Sequence, residues 1–148
     1  MTAPLFMFAT GIENSYPTIH NSRLRVDEMD KCGHYTHWRT DFDLLEDLNV
    51  HTLRYGPPVH TTWLGQGRYD WEFGDLTFGE MRRRNIIPIV DLCHFGVPGW
   101  IGDFQNPDFP VRPEGAVYQW RKVPPRELSI ALVADERPGR ATGLVEAS

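Results

Sequence analysis

Apolar and polar positions along the chain switch between two periods. Residues 5–10 (LFMFAT) form a short apolar and aromatic run closed by Gly11, the pattern of a buried strand that turns at its C-terminal end. Residues 36–49 instead place Trp38, Phe42, Leu45 and Leu48 at spacings of four and three, the stripe of an amphipathic helix. Asp41 and Asp43 lie towards its N-terminal half, where the helix dipole favours acids. Residues 50–55 (VHTLRY) are β-branched and aromatic and end at Gly56-Pro57-Pro58, which predicts a second strand. A second helix is expected from Asp70, whose side chain can cap it, to about Asn85. There Phe73, Leu76 and Met81 share a face, and Arg82 to Arg84 occupy the last turn. Gly74 and Gly79 weaken this helix slightly. Residues 86–92 (IIPIVDL) are a near-continuous apolar run, as in a parallel strand covered on both faces. Pro88 removes a ladder donor and is placed near the strand's start.

The predicted order is βαβαβ, with crossovers long enough for parallel pairing. Two architectures fit. A dinucleotide-binding sheet wants a glycine-rich turn after the first strand, whereas Thr10-Gly11-Ile12-Glu13-Asn14 offers one glycine and an acid. A (β/α)8 barrel places its chemistry on the loops after the strands, and the informative residues fall on those loops. The predicted fold class is therefore α/β, a partial (β/α)8 TIM barrel made of its first three β/α units.

Composition divides the chain near Pro110. Residues 1–110 hold all the aromatic residues except Tyr118 and Trp120. Residues 111–148 are studded with Pro113, Pro124, Pro125, Pro138 and five arginines, an atypical tail in which frame-shifted or disordered sequence is the expectation. Within it, residues 126–135 (RELSIALVAD) fit a short helix or a strand equally well.

The 148 residues, 41% hydrophobic and 24% charged, have the balance of a soluble globular domain. The net charge of −5 argues against nucleic acid or an anionic membrane surface as partner. Cys32 and Cys93 are too few for a disulfide scaffold. The first apolar run is too short for a signal peptide or a membrane span, so a cytoplasmic location is expected. Cys32, His34 and His37 have a zinc-like spacing but lack a fourth ligand, and no metal is expected. The neighbours Cys93 and His94 point to opposite faces of a strand and make no nucleophile pair.

The strand ends carry Glu13, Asn14 and Tyr16 after the first strand, Arg54, Tyr55, His60 and Trp63 around the second, and His94, Trp100 and Phe104 beyond the third. A few hydrogen-bonding groups among flat aromatic faces suit a pyranose ring, which presents both hydroxyls and an apolar C–H face.

Arg54-Tyr55, Gly67-Arg68-Tyr69-Asp70-Trp71 and the run Pro88-Ile89-Val90-Asp91-Leu92-Cys93-His94-Phe95-Gly96-Val97-Pro98-Gly99-Trp100 resemble the opening third of family 1 glycoside hydrolases, the β-glucosidase-like enzymes. The resemblance covers residues 5–110. It implies a (β/α)8 barrel that hydrolyses terminal glycosides through a covalent glycosyl-enzyme, with no metal or organic cofactor. It implies that His94 binds hydroxyls of the sugar in the −1 subsite and that Arg54 supports the catalytic carboxylates. Glu13 stands where such enzymes commonly have glutamine, and Trp100 is carried over as a further substrate contact. After Arg54 the pattern departs: Gly56-Pro57-Pro58-Val59-His60-Thr61 replaces the expected tryptophan and second arginine.

By the same resemblance both catalytic groups are glutamates on later strands, the acid/base following an asparagine. The sequence contains no Asn-Glu dipeptide. The chain is thus expected to be an N-terminal fragment of a glycosidase, truncated or frame-shifted and inactive by itself. Two other readings stand beside it: a non-catalytic sugar-binding or interaction module, and a half-barrel that self-associates through open sheet edges.

Overall fold

The structure, a computed structural model, describes residues 8–19, 24–94, 97–102, 106, 131–133 and 144–145. Leu5 to Met7, Phe95, Gly96, Phe104, Tyr118 and Trp120 lie outside these residues, as do most of 126–135 and the side chain of Cys93.

Five strands form the main sheet: β1 (Ala9–Gly11), β4 (Thr52–Tyr55), β7 (Ile87–Cys93), β8 (Ala131–Val133) and β9 (Leu144–Val145), in the order β1-β4-β7-β8-β9. The first three neighbour pairs are parallel and β9 runs antiparallel to β8. Gly11 pairs with Arg54, and Arg54 with Ile89, so the C-terminal ends of β1, β4 and β7 open on the same side. The ambiguous segment 126–135 contains a strand, β8.

Helix α2 (His34–Asp47) connects β1 to β4, and α4 (Glu72–Arg83) connects β4 to β7. Both helices end alike. Asn49 and Asn85 adopt left-handed backbone, φ 54° and 57°. Their N–H groups bond the carbonyls of Glu46 and Arg82, while Val50 and Ile86 reach back to Leu45 and Met81 at 2.9 Å. This is the Schellman arrangement. It turns each helix straight into the next strand with its last carbonyls satisfied.

The core lies between helices and sheet. Leu53 and Tyr55 project from one face of β4 onto Trp38, Phe42 and Leu45 of α2 and Met81 of α4. Because side chains alternate along a strand, Arg54 is left on the opposite face. Four sequence expectations need correction. Of the first expected strand, residues 5–7 lie outside the described residues; the described β1, Ala9–Gly11, runs on through Gly11, and its residues are exposed rather than buried; it is an edge of the described sheet. Leu48 is exposed because it is the C-cap of α2, beyond the residues whose direction the helical repeat sets. Leu76 is exposed because α4 buries Gly74, Thr77 and Met81, a stripe rotated away from it. The N-cap of α4 is Trp71, although Asp70 Oδ1 still accepts the Glu72 N–H at 3.0 Å.

The expected loops hold short elements. Between β1 and α2 come a hairpin of β2 (Thr18–Ile19) and β3 (Leu24–Arg25) and the single-turn α1 (Glu28–Lys31). Between β4 and α4 come α3 (Val59–Thr62) and a hairpin of β5 (Trp63–Gly65) and β6 (Arg68–Tyr69). Among the described residues no helix is long and apolar enough to cross a membrane.

Candidate functional site

Three strand ends bring four chemically active side chains together. Beyond β1 the chain stays against β4 for one more residue, Ile12 N–H donating to the Arg54 carbonyl at 3.1 Å. That places Glu13 beside the end of β4. Its Oε1 accepts the Ser15 N–H at 3.0 Å and lies 3.3 Å from His94 Nε2, just past β7. On the next strand pair, Arg54 of β4 holds Asp91 of β7 in an ion pair of 2.6 Å. Asp91 is 2% exposed and Arg54 31%, so the acid forms the floor and the guanidinium reaches towards solvent. Glu13 is 41% exposed and His94 11%.

Charge in the group is finely divided. Burial pushes Asp91 above the usual aspartate range, with the charges of Arg54 and His94 opposing the rise. Burial also works to raise Glu13, but the Ser15 hydrogen bonds and the charges of His94 and Arg54 outweigh it and hold Glu13 low. His94 is lowered by burial first and by Arg54 second, Glu13 and Asp91 pulling the other way. The site thus combines an ionised, accessible carboxylate, a neutral imidazole and a guanidinium paired with a buried acid. It can accept and donate hydrogen bonds to an uncharged polyol.

Close packing fixes these positions. Gly56 follows β4, and a Cβ there would lie 2.5 Å from Asn14 Nδ2 and 2.9 Å from Asp91 Cβ. Only glycine lets the three strand ends meet. Asn14 is buried and its Nδ2 donates to the Pro57 carbonyl at 3.4 Å.

Of the four residues expected from sequence, Glu13, Arg54 and His94 therefore meet. Trp100 belongs to a neighbouring aromatic group. It stands edge-on to Trp63 at 4.9 Å, donates from Nε1 to the Trp63 carbonyl at 2.9 Å, and is 42% exposed. Trp63 is buried, stacked with Tyr69 at 6.5 Å. Arg25 ties this loop down, donating to the carbonyls of Val97 and Gly102 while lying 5.4 Å over the Tyr16 ring. His60 also serves the scaffold: it stacks on Tyr16 at 3.9 Å and meets Asp27 Oδ2 at 2.8 Å.

Sequence reasoning gave Asp91 no role, although an acid inside an apolar strand run was the available signal. His34 also differs from its zinc-like spacing. It is buried in the core, with Nδ1 2.6 Å from Asp41 and Nε2 3.0 Å from the Tyr55 hydroxyl, while Cys32 is exposed. Among the described residues no group of three histidine, cysteine or acidic side chains is arranged to hold a metal.

No protein-family model matches the chain, and no curated protein matches it. Among solved structures it is similar to a β-glucosidase from Exiguobacterium marinum, with a TM-score of 0.59 and 19% identity. That likeness covers 71% of this chain and 25% of the other, so the chain spans about a quarter of that enzyme's length. It shows a shared fold: an α/β arrangement with a parallel sheet, like part of a β-glucosidase.

Proposed function

We propose that the chain carries the first three β/α units of a family 1-type glycoside hydrolase barrel and the part of its pocket that holds the sugar. The observation that carries this reading is the meeting of Glu13, Arg54, Asp91 and His94 at the C-terminal ends of three adjacent parallel strands. That end of a (β/α)8 barrel is where its chemistry is built. Glu13 and His94 are the groups for sugar hydroxyls, Arg54 the support beneath them, and Trp100 an apolar face at the rim.

Retaining hydrolysis needs two carboxyl groups about 5 Å apart on either side of the glycosidic bond. Asp91 is buried and spent on Arg54, which leaves Glu13 as the accessible carboxylate of the group. On this reading the 148 residues bind sugar and do not cleave it. β1, an exposed edge strand of the described sheet, is the place for self-association or for the rest of a barrel.

Titration of the protein with methyl β-glucoside, followed by NMR, tests the reading. Saturable shifts with a Kd of about 1–10 mM are expected, weakened at least about tenfold by His94→Ala, with no nitrophenol released from an aryl β-glycoside. An absence of saturable shifts, or turnover that His94→Ala abolishes, would overturn it.

A further inference from the structure

We infer that the site prefers an aminated sugar, a polyol ring bearing an ammonium group, to a neutral one, and that it rejects uronates and sugar phosphates. The inference rests on the sugar-site reading above and deepens it. Its basis is the arrangement of charge. Arg54 is the cation of the group, and its charge is cancelled by Asp91 at 2.6 Å. A ligand therefore meets a guanidinium already paired.

Glu13 supplies the uncancelled charge. One of its oxygens, Oε1, is occupied by the Ser15 N–H at 3.0 Å and faces His94 Nε2 at 3.3 Å. Those two contacts orient the carboxylate. The side chain is 41% exposed, so Glu13 is an oriented anionic acceptor that a ligand can reach. His94, lowered by burial and by Arg54, adds no positive charge in the neutral range.

The physical contrast follows. A sugar hydroxyl donating to the Glu13 carboxylate makes a hydrogen bond with one charged partner. An ammonium in its place makes one with two, and such bonds are shorter and stronger. At a half-exposed site much of that gain is screened, so the preference is about fivefold rather than hundreds. A carboxylate or phosphate on the ligand would face the Glu13 carboxylate while Arg54 is already paired with Asp91. A glutamine at position 13 would hold the same Ser15 N–H and lose the discrimination.

Titrating the full-length chain with D-glucose, D-glucosamine and D-glucuronate at constant ionic strength, in mildly acidic buffer that keeps the amine protonated, tests this. Glucosamine is expected to bind about fivefold tighter than glucose, and glucuronate more weakly than either. Glu13→Gln should bring glucosamine level with glucose, the readout being the ratio of the two affinities within each variant, and Glu13→Asp, which keeps the charge on a shorter arm, should retain part of the preference. Equal affinities for glucose and glucosamine, or a preference that survives Glu13→Gln, overturn the inference and leave the sugar site standing. If neither sugar binds, both readings fail.

Discussion

Replacing Gly56 by alanine tests the close meeting of strand ends on which the site depends. The added methyl would lie 2.5 Å from Asn14 Nδ2, 2.9 Å from Asp91 Cβ, and closer still to the Asp91 carbonyl oxygen. Ordinary contacts of a Cβ begin near 3.4 Å. Asn14 is buried and cannot swing clear. Asp91 is fixed by the ladder of β7 and by Arg54. Overpacking of this kind costs about 1–3 kcal/mol, and two unyielding neighbours put Gly56→Ala near the top of that range. With a urea dependence of about 1.5 kcal/mol per molar for a small protein, the unfolding midpoint should fall by about 2 M. Sugar binding should weaken as well, because Asp91 must move and Arg54 with it. The control is Gly79→Ala on the exposed side of α4, where an added Cβ meets nothing within 4 Å. Helix propensity alone should then raise stability by about 0.5–1 kcal/mol. If Gly56→Ala unfolds at the wild-type midpoint while Gly79→Ala shifts upward, the strand ends are not packed together and the site as drawn is wrong.

Three further outcomes follow from charge placement. Arg84 bridges α4 to α2, meeting Glu80 at 2.7 Å, Asp43 at 2.5 Å and Glu46 at 3.1 Å. Arg84→Gln should lower Tm, and thermal melts should show the deficit shrinking as salt is raised, since three carboxylates then face one another through a screened medium. Hydrogen bonds from Arg83 and Arg84 hold Glu80 down at about 2. Its stabilising contribution is complete above the ordinary glutamate value, falls as pH drops below it, and is gone once pH passes about 2. His34 behaves differently. Burial lowers it, with the Asp41 contact opposing, so above its ordinary value near 6.5 it is neutral in both states, folded and unfolded, and stability from this source is complete. Below that value the unfolded chain takes up a proton that the folded one resists, and stability falls. Urea midpoints measured across the window above the carboxylate range should decline with acidification, less steeply in His34→Gln; parallel slopes would refute the assignment.

The two long helices and the strands after them were legible because each carries its period over enough residues. Spacing alone does not report direction in the segment of Cys32, His34 and His37: His34 turns inward to Asp41 and Tyr55. In α4 the buried stripe runs through Gly74 and Thr77 rather than Leu76. Glycine lets the helix approach closely. Thr77 is tolerated inside because its hydroxyl donates back to the carbonyls of Phe73 and Gly74 at 2.9 and 3.2 Å. A pattern that scores side chains by polarity cannot see either. The hairpins of β2 with β3 and β5 with β6 were hidden by length, since strands of two or three residues give no alternation to count. At the site, Glu13 and His94 were legible from their places after strands and Arg54 from its place near the end of one; Asp91 showed only as an acid inside an apolar run, its partner lying on another strand.

Some departures from ordinary core chemistry lie inside the helices, where His34 and Thr77 find partners on their own helix; others gather at the strand ends. At the N-terminal ends Val50 and Ile86 pack on the core beside buried Thr52. At the opposite ends stand an acid buried to 2% exposure, a buried asparagine amide, and a glycine that no other residue can replace. Each is unfavourable locally. An ion pair as buried as Arg54–Asp91 contributes little net stability over an apolar pair of the same shape, so packing alone does not account for it. The pair fixes a guanidinium with its charge already balanced. On the proposed reading these violations at neighbouring strand ends prepare a ligand site, with Asp91 holding Arg54 in place rather than taking part in chemistry.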